Sequence, residues 1–315
     1  MRDNGRQWEI MDLLKAAEKH FKEKEIEAPR LHAEILLAYV MQATRIELYL
    51  KHDRPVSRSE LEKFRSLCRE RLNGKPLQYI TGEQIFYGHS FLVDERVLIP
   101  RPETELVLEH TLDRAVVSDI PEGQKLTILD IGTGSGCLAI MLALKLPDAI
   151  ITAVDFSAKA LEVAEHNAGE HGVADRIRFL QTDVLCSGFI DEVAGAYDVV
   201  LSNPPYIPEQ EWEELAPEVK NHEPKMALVT PDGFEFYRAI SRSASALLKP
   251  GGMLCFELHA EGAEKVREIV DTHGFRNVEV HKDYSGWDRV LSGVSAAVGE
   301  VVPREGARAR TCRGS

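Results

Sequence analysis

The 315-residue sequence has no apolar run that approaches the roughly 20 residues a bilayer-spanning helix needs. Its opening, Met1-Arg-Asp-Asn-Gly-Arg6, lacks the apolar core of a secretory signal. The expectation is therefore a cytoplasmic protein with no membrane partner. Cysteine is scarce: Cys68, Cys137, Cys186, Cys255 and Cys312 are odd in number and far apart, which argues against a disulfide framework and against a zinc site, so no metal is expected. Cys137 and Cys255 lie in apolar runs and read as small core residues. Positive charge is in deficit as well, with 38 Lys and Arg against 51 Asp and Glu, a net −13. Residues 1–80 hold 16 basic and 13 acidic residues, a net +3, so the remaining 235 residues carry −16. An acidic chain suits duplex DNA poorly, because such binding rests on neutralising phosphates, and no stable nucleic-acid partner is expected.

What the sequence does hold is punctuation at the ends of apolar runs. Lys125 to Ile131 reads as a short buried strand, followed by Gly132-Thr133-Gly134-Ser135-Gly136 and the apolar helical run Cys137 to Leu144. Strand, glycine turn and helix make a nucleotide-binding arrangement, in which glycine lets the backbone turn tightly and approach a ligand without a Cβ in the way. The spacing is G-x-G-x-G, one residue shorter at its last step than the dinucleotide fingerprint, whose final glycine would fall at Cys137. No Gly-Lys-Ser/Thr follows, so it is not a P-loop. A second strand, Ala149 to Val154, ends in Asp155, an acid placed to accept hydrogen bonds from both hydroxyls of a ribose. The combination favours an adenosine ligand without a pyrophosphate.

The other punctuated run is Tyr197 to Ser202, which ends at Asn203-Pro204-Pro205-Tyr206. Two prolines fix φ and stop the ladder, so the Asn203 side chain and the Pro204 carbonyl can both point out of the sheet. Two acceptors and the aromatic face of Tyr206 suit a planar group carrying an NH2. A proline-rich turn closing a strand is the plainer reading of the same four letters.

Asp130-x-Gly-x-Gly-x-Gly136, Asp155 and Asn203-Pro-Pro-Tyr206, in this order, resemble a Rossmann-like methyltransferase that uses S-adenosylmethionine. Asn-Pro-Pro-Tyr is shared by enzymes that methylate planar nitrogens, the N6 of adenine in DNA or RNA and the glutamine amide in proteins. Pro76-Leu-Gln-Tyr-Ile-Thr-Gly82, Phe86-Tyr-Gly88 and Val97-Leu-Ile-Pro-Arg-Pro-Glu-Thr-Glu105 are similar to the HemK/PrmC family, the protein-(glutamine N5) methyltransferases of class 1 peptide-chain release factors. The likeness runs from about Ala28 to about Gly293. It implies an α/β fold: a seven-stranded methyltransferase domain at 101–294, a helical substrate-docking domain at 1–75 and a linking β-hairpin at 76–100. A tail at 295–315, rich in Gly, Arg and Ala without periodicity, reads as disordered.

The resemblance further implies transfer of a methyl group from S-adenosylmethionine, leaving S-adenosylhomocysteine, to the glutamine of the Gly-Gly-Gln motif of class 1 release factors. It implies Asn203, Pro204, Pro205 and Tyr206 as catalytic, and Gly132, Thr133, Gly134, Ser135, Gly136, Asp155 and Asn203 as the cofactor contacts. Asp183 would lie near the adenine, with Val184 as an apolar contact, and Pro100 to Glu105 would sit beside the cofactor. The rivals are an adenine-N6 methyltransferase of DNA or RNA and a non-catalytic protein with a vestigial pocket. The long polar segment Ile207 to Pro231 is of a length that is uncommon unless functional. His222 within it, without a visible partner, reads as solvated rather than as a base. The domain content suggests a monomer.

Overall fold

Why the chain begins helical is visible at its helix starts. The computed structural model describes residues 7–117 and 124–296. Helices α1 (Ile10–Glu23), α2 (Pro29–Met41), α3 (Arg45–Leu50), α4 (Arg58–Leu72) and α5 (Leu77–Thr81) come first. Ser57 opens α4 with a reciprocal box: its hydroxyl accepts from Glu60 N while the Glu60 carboxylate accepts from Ser57 N at 2.8 Å. Thr44 and Glu47 repeat the device at α3. Their apolar stripes close over one core containing Leu13, Phe21, Leu37 and Phe64. Buried Glu34 is held there by Arg30 at 2.7 Å, by Arg45 at 2.7 Å and by the Tyr49 hydroxyl.

The chain divides into two compact units, one formed by Met1–Glu83 with Ala216–His222 and the other by Gln84–Leu215 with Glu223–Ser315. The first unit thus recruits a short helix from a distant part of the sequence. Its Glu218 accepts from buried Arg71 at 2.6 Å, and Arg71 also donates to His32 Nδ1 at 3.2 Å.

Next along the chain come β1 (Glu83–Phe86) and β2 (His89–Leu92), a two-stranded pair. The stretch just before it, expected to be extended, is instead the helix α5, which Pro76 starts and the left-handed Gly82 ends. Then follow α6 (Thr104–Val117), β3 (Thr127–Ile131), α7 (Cys137–Lys145), β4 (Ile150–Asp155), α8 (Ala158–Glu170), β5 (Ile177–Gln181), α9 (Phe189–Val193) and β6 (Tyr197–Ser202). The segment expected as a long polar loop carries β7 (Ile207–Pro208), α10 (Pro217–His222) and β8 (Val229–Thr230), with β7 and β8 paired in parallel. The chain closes with α11 (Glu235–Leu247), β9 (Leu248–Glu257), α12 (Ala263–Thr272), β10 (Phe275–Lys282) and β11 (Asp288–Ser295). Pro250-Gly-Gly252 lies inside β9, where the register against β6 is irregular between Tyr197 and Val199. The expected tail falls, from residue 297 on, outside the described residues.

Seven strands form one sheet in the order β10-β11-β9-β6-β3-β4-β5, parallel except for β11, which runs antiparallel to both neighbours. Successive residues of each strand feed opposite layers. Ile128, Val199 and Cys255 pack with α7, whereas Leu129, Val200 and Leu254 pack with α11 and α12. Cys68, Cys137 and Cys255 are free and buried. Strands β4 and β5 lie on one side of β3, and β6 lies on the other. The order therefore reverses beside β3, which puts a crevice at the carboxyl ends of these strands.

Candidate active site

That crevice is a cavity of about 400 Å³, and every wall has a local reason. Gly132 and Gly134 follow β3 with φ of +76° and +56°, and a Cβ added to either would meet nothing within 4 Å. Both line the cavity, so the backbone approaches it with no side chain between. Asp155, at the end of β4, lines it too. Its Oδ2 accepts from Gly134 N at 2.9 Å and its Oδ1 from Ser157 N at 2.9 Å, while burial raises its pKa above the ordinary carboxylate value. Asp183 and Val184 line it from the end of β5, where Asp183 Oδ1 accepts from Leu185 N at 2.9 Å. Asn203, Pro204 and Pro205 line it from the end of β6. Apolar groups of Leu98, Val184, Met226 and Phe236 complete the walls. An acceptor carboxylate beside a bare backbone turn, set among apolar side chains, fits a nucleoside-bearing ligand.

The remaining expected residues stand behind the cavity. Thr133 is buried and donates to Asp130 Oδ2 at 2.7 Å. The Ser135 carbonyl accepts from Asn167 Nδ2 at 2.9 Å. Gly136 permits close packing, since a Cβ there would lie 2.9 Å from Ile140 Cδ1 and 3.1 Å from Ala164 Cβ. The Tyr206 ring lies against His259, with centroids 5.8 Å apart, and its hydroxyl donates to Glu257 at 3.2 Å. The prolines at 100 and 102 do not line the cavity either, although Val97 and Leu98 just before them do. His222 belongs to the other unit.

Thr104, from the stretch expected beside the cofactor, and two residues that sequence reasoning missed, Glu257 and Glu223, hold the site. Asn203 Nδ2 donates to Thr104 Oγ1 at 3.1 Å, and Thr104 Oγ1 donates to Glu257 Oε2 at 2.6 Å. Glu257 is 1% exposed, and burial pushes its pKa up to about 7. The signal for it was a carboxylate in the middle of the apolar run Met253 to His259. Glu223, also buried, accepts from Arg101 at 2.5 Å and from Ile99 N at 3.3 Å, so the chain returning from α10 is fastened beside Pro224 and Met226 of the cavity wall.

Comparison with known proteins agrees with this layout. Residues 12–82 match the family described as PrmC N-terminal domain, and residues 110–221 match the methyltransferase small domain. A release factor glutamine methyltransferase of Chlorobaculum tepidum is 54% identical over 285 residues, covering 90% of this chain and 97% of that protein. One from Rhodopirellula baltica is 38% identical, covering 92% and 97%. A bifunctional methyltransferase of Rickettsia typhi is 34% identical over 90% of this chain, which spans 57% of that longer protein. Among solved structures, the hMettl16 catalytic domain in complex with the MAT2A 3′UTR hairpin 6 has a TM-score of 0.50 at 16% identity, covering 80% of this chain and 87% of that one, a likeness of fold. With the glycine turn, the acidic strand end and the Asn-Pro-Pro-Tyr turn gathered at one crevice, the chain belongs to the release factor glutamine methyltransferase family of S-adenosylmethionine-dependent enzymes.

Proposed function

We propose that this protein methylates the side-chain amide nitrogen N5 of the glutamine in the Gly-Gly-Gln motif of class 1 release factors. The observation that carries the reading is the fixed orientation of the Asn203 amide. While Glu257 is ionised, Thr104 gives it its one hydroxyl proton, so toward Asn203 the hydroxyl can only accept, and the amide nitrogen must face it. Oδ1 is then the end of Asn203 left to accept a hydrogen bond from a substrate at the cavity.

In this reading Gly132 and Gly134 leave room for the cofactor's methionyl portion, the Asp155 carboxylate takes the ribose hydroxyls, and Asp183 and Val184 flank the adenine. S-adenosylmethionine, when bound, supplies an electrophilic methyl group. An amide nitrogen is a poor nucleophile because its lone pair is delocalised into the carbonyl. Asn203 Oδ1 and the Pro204 carbonyl, each accepting one N–H of the substrate amide, favour pyramidalisation and aim the lone pair at the methyl. Alignment of this kind supplies as much as about 7–11 kcal/mol in well-oriented cases. No histidine or lysine lines the cavity among the described residues. None is needed before transfer, since the nitrogen becomes acidic only once it carries the methyl. The helical unit, with its net-positive sequence, would dock the release factor.

Mass spectrometry of a class 1 release factor incubated with this protein and labelled S-adenosylmethionine tests the reading. One added methyl on the Gly-Gly-Gln glutamine is the expected result. An unlabelled peptide, with label in DNA or RNA instead, overturns it.

A further inference from the structure

Behind Asn203 the structure assembles a relay that reaches no ligand itself. Glu257 at the end of β9, Thr104 at the start of α6 and Tyr206 after β6 converge from positions far apart in sequence. Glu257 Oε2 receives the Thr104 hydroxyl at 2.6 Å and Oε1 receives the Tyr206 hydroxyl at 3.2 Å, so both carboxylate oxygens are occupied by hydroxyl donors. Thr104 is 2% exposed and Glu257 1%, and neither lines the cavity. A carboxylate held in the interior by hydroxyls rather than by a cation is costly to keep there, which points to a use.

We propose that Glu257 and Thr104 are positioning residues for the methyl transfer. The buried carboxylate, through the Thr104 hydroxyl, fixes the Asn203 amide with Oδ1 toward the substrate and makes that oxygen a stronger acceptor. Positive charge grows on the substrate nitrogen as its bond to the methyl forms and the sulfonium bond breaks. A negative charge two hydrogen bonds away, carried along aligned dipoles in a dry interior, favours that change. Tyr206 is tied to the same carboxylate, so both ends of the Asn-Pro-Pro-Tyr turn share one anchor. The inference rests on Asn203 being the acceptor of the substrate amide.

The relay has a pH signature. Burial and then neighbouring Glu103 raise the Glu257 pKa, the Thr104 and Tyr206 hydrogen bonds and Arg289 lower it, and the result is about 7. Tyr237 of α11, whose hydroxyl donates to the Glu257 carbonyl at 2.8 Å, and Cys137 of α7 also face it, with pKa values raised by burial, so neither ionises below pH 8. Below about pH 7 Glu257 carries a proton of its own to offer, and Thr104 is no longer forced to accept from Asn203.

The test uses the full chain, a Gly-Gly-Gln release factor and labelled S-adenosylmethionine, with cofactor Kd read separately by calorimetry. Thr104→Val, which keeps the shape and removes the hydroxyl, is expected to lower kcat on the order of 100-fold while cofactor Kd stays within about threefold. Thr104→Ser should recover all but about tenfold of that loss. Glu257→Gln is expected to turn over slowly at a rate flat from pH 6 to 8.5, where the wild-type rate climbs. A Thr104→Val enzyme with wild-type kcat, equal impairment of the Val and Ser variants, or a Glu257→Gln rate that climbs with pH as the wild type does overturns the proposal. If Thr104→Val fails to fold, the Glu257→Gln pH profile alone decides. A wild-type protein that leaves the glutamine unmodified sinks the functional reading first, a failure distinct from these.

Discussion

Asn203 and the glycines of the first turn show how far single side chains control this site. Asn203→Ala removes the acceptor and leaves Gly132, Gly134 and Asp155 of the cavity wall in place. The expected outcome is a kcat lower by roughly 10²–10³-fold with cofactor binding retained, read by single-turnover methylation beside calorimetry. Loss of cofactor affinity instead would make Asn203 a structural residue. Gly134 and Gly136, two positions apart, should fail in different ways. Gly134→Ala adds a methyl into open space at φ +56°, which costs roughly 1–2 kcal/mol of stability and weakens cofactor binding. Gly136→Ala forces a Cβ to within 2.9 Å of Ile140 and costs roughly 2–4 kcal/mol, with the cofactor affected only through misfolding. Denaturant midpoints and Kd values for the pair distinguish a ligand cradle from a packing contact.

Elements written as local pattern were legible in the chain, and those built by distant pairing were not. The turn after β3, the acid ending β4 and the run of β6 before Asn203 each announce themselves within a few residues. Alternation of strand and helix places them together at the carboxyl ends of neighbouring strands. The Thr104–Glu257 bond spans 153 residues and the Asn203–Thr104 bond 99, so no window of sequence contains either. The stretch from Ile207 to Pro231 misled for a related reason. Its strands are two residues long and are ordered by each other rather than by propensity. What fastens the return of that stretch is the pair Arg101–Glu223, whose carboxylate is 2% exposed. Arg101→Met leaves the buried charge unpaired and is expected to cost about 2–4 kcal/mol. It should also quicken proteolysis between residues 209 and 226. The double variant Arg101→Met with Glu223→Leu should recover most of the loss. Equal stability of the single variant and the wild type would show that Ile99 N alone holds Glu223.

At the scale of the molecule, acidity works in two directions. Burial opposes ionisation of Glu34 and Asp198. Even so, Tyr49, Arg45 and Arg30 hold the first below the ordinary carboxylate range, and Lys249 and Thr127 do so for the second. Stability from such groups is present above the unfolded pKa and is lost as pH falls through the lower folded value, in strongly acidic solution. Asp130 behaves in the opposite sense. It is 1% exposed beneath the glycine turn, and burial, reinforced by Asp155 and eased by the Thr133 hydrogen bond, pushes it up to about 7, as burial does Glu257. Between the unfolded value near 4 and about 7, the folded chain holds a proton that the unfolded chain releases, so folding grows more favourable as pH falls through that window. Denaturant unfolding should therefore show stability rising from pH 8 to about 5 and falling again below about 4. Asp130→Asn imitates the protonated form and can still accept from Thr133. It should flatten the limb between pH 5 and 8 and unfold at higher denaturant than the wild type at pH 8, by on the order of 2–4 kcal/mol. Wild-type stability that climbs from pH 5 to 8, or an Asp130→Asn variant weaker than the wild type at pH 8, would mean that Asp130 is ionised in the fold and that the charge beneath the glycine turn is part of what holds it.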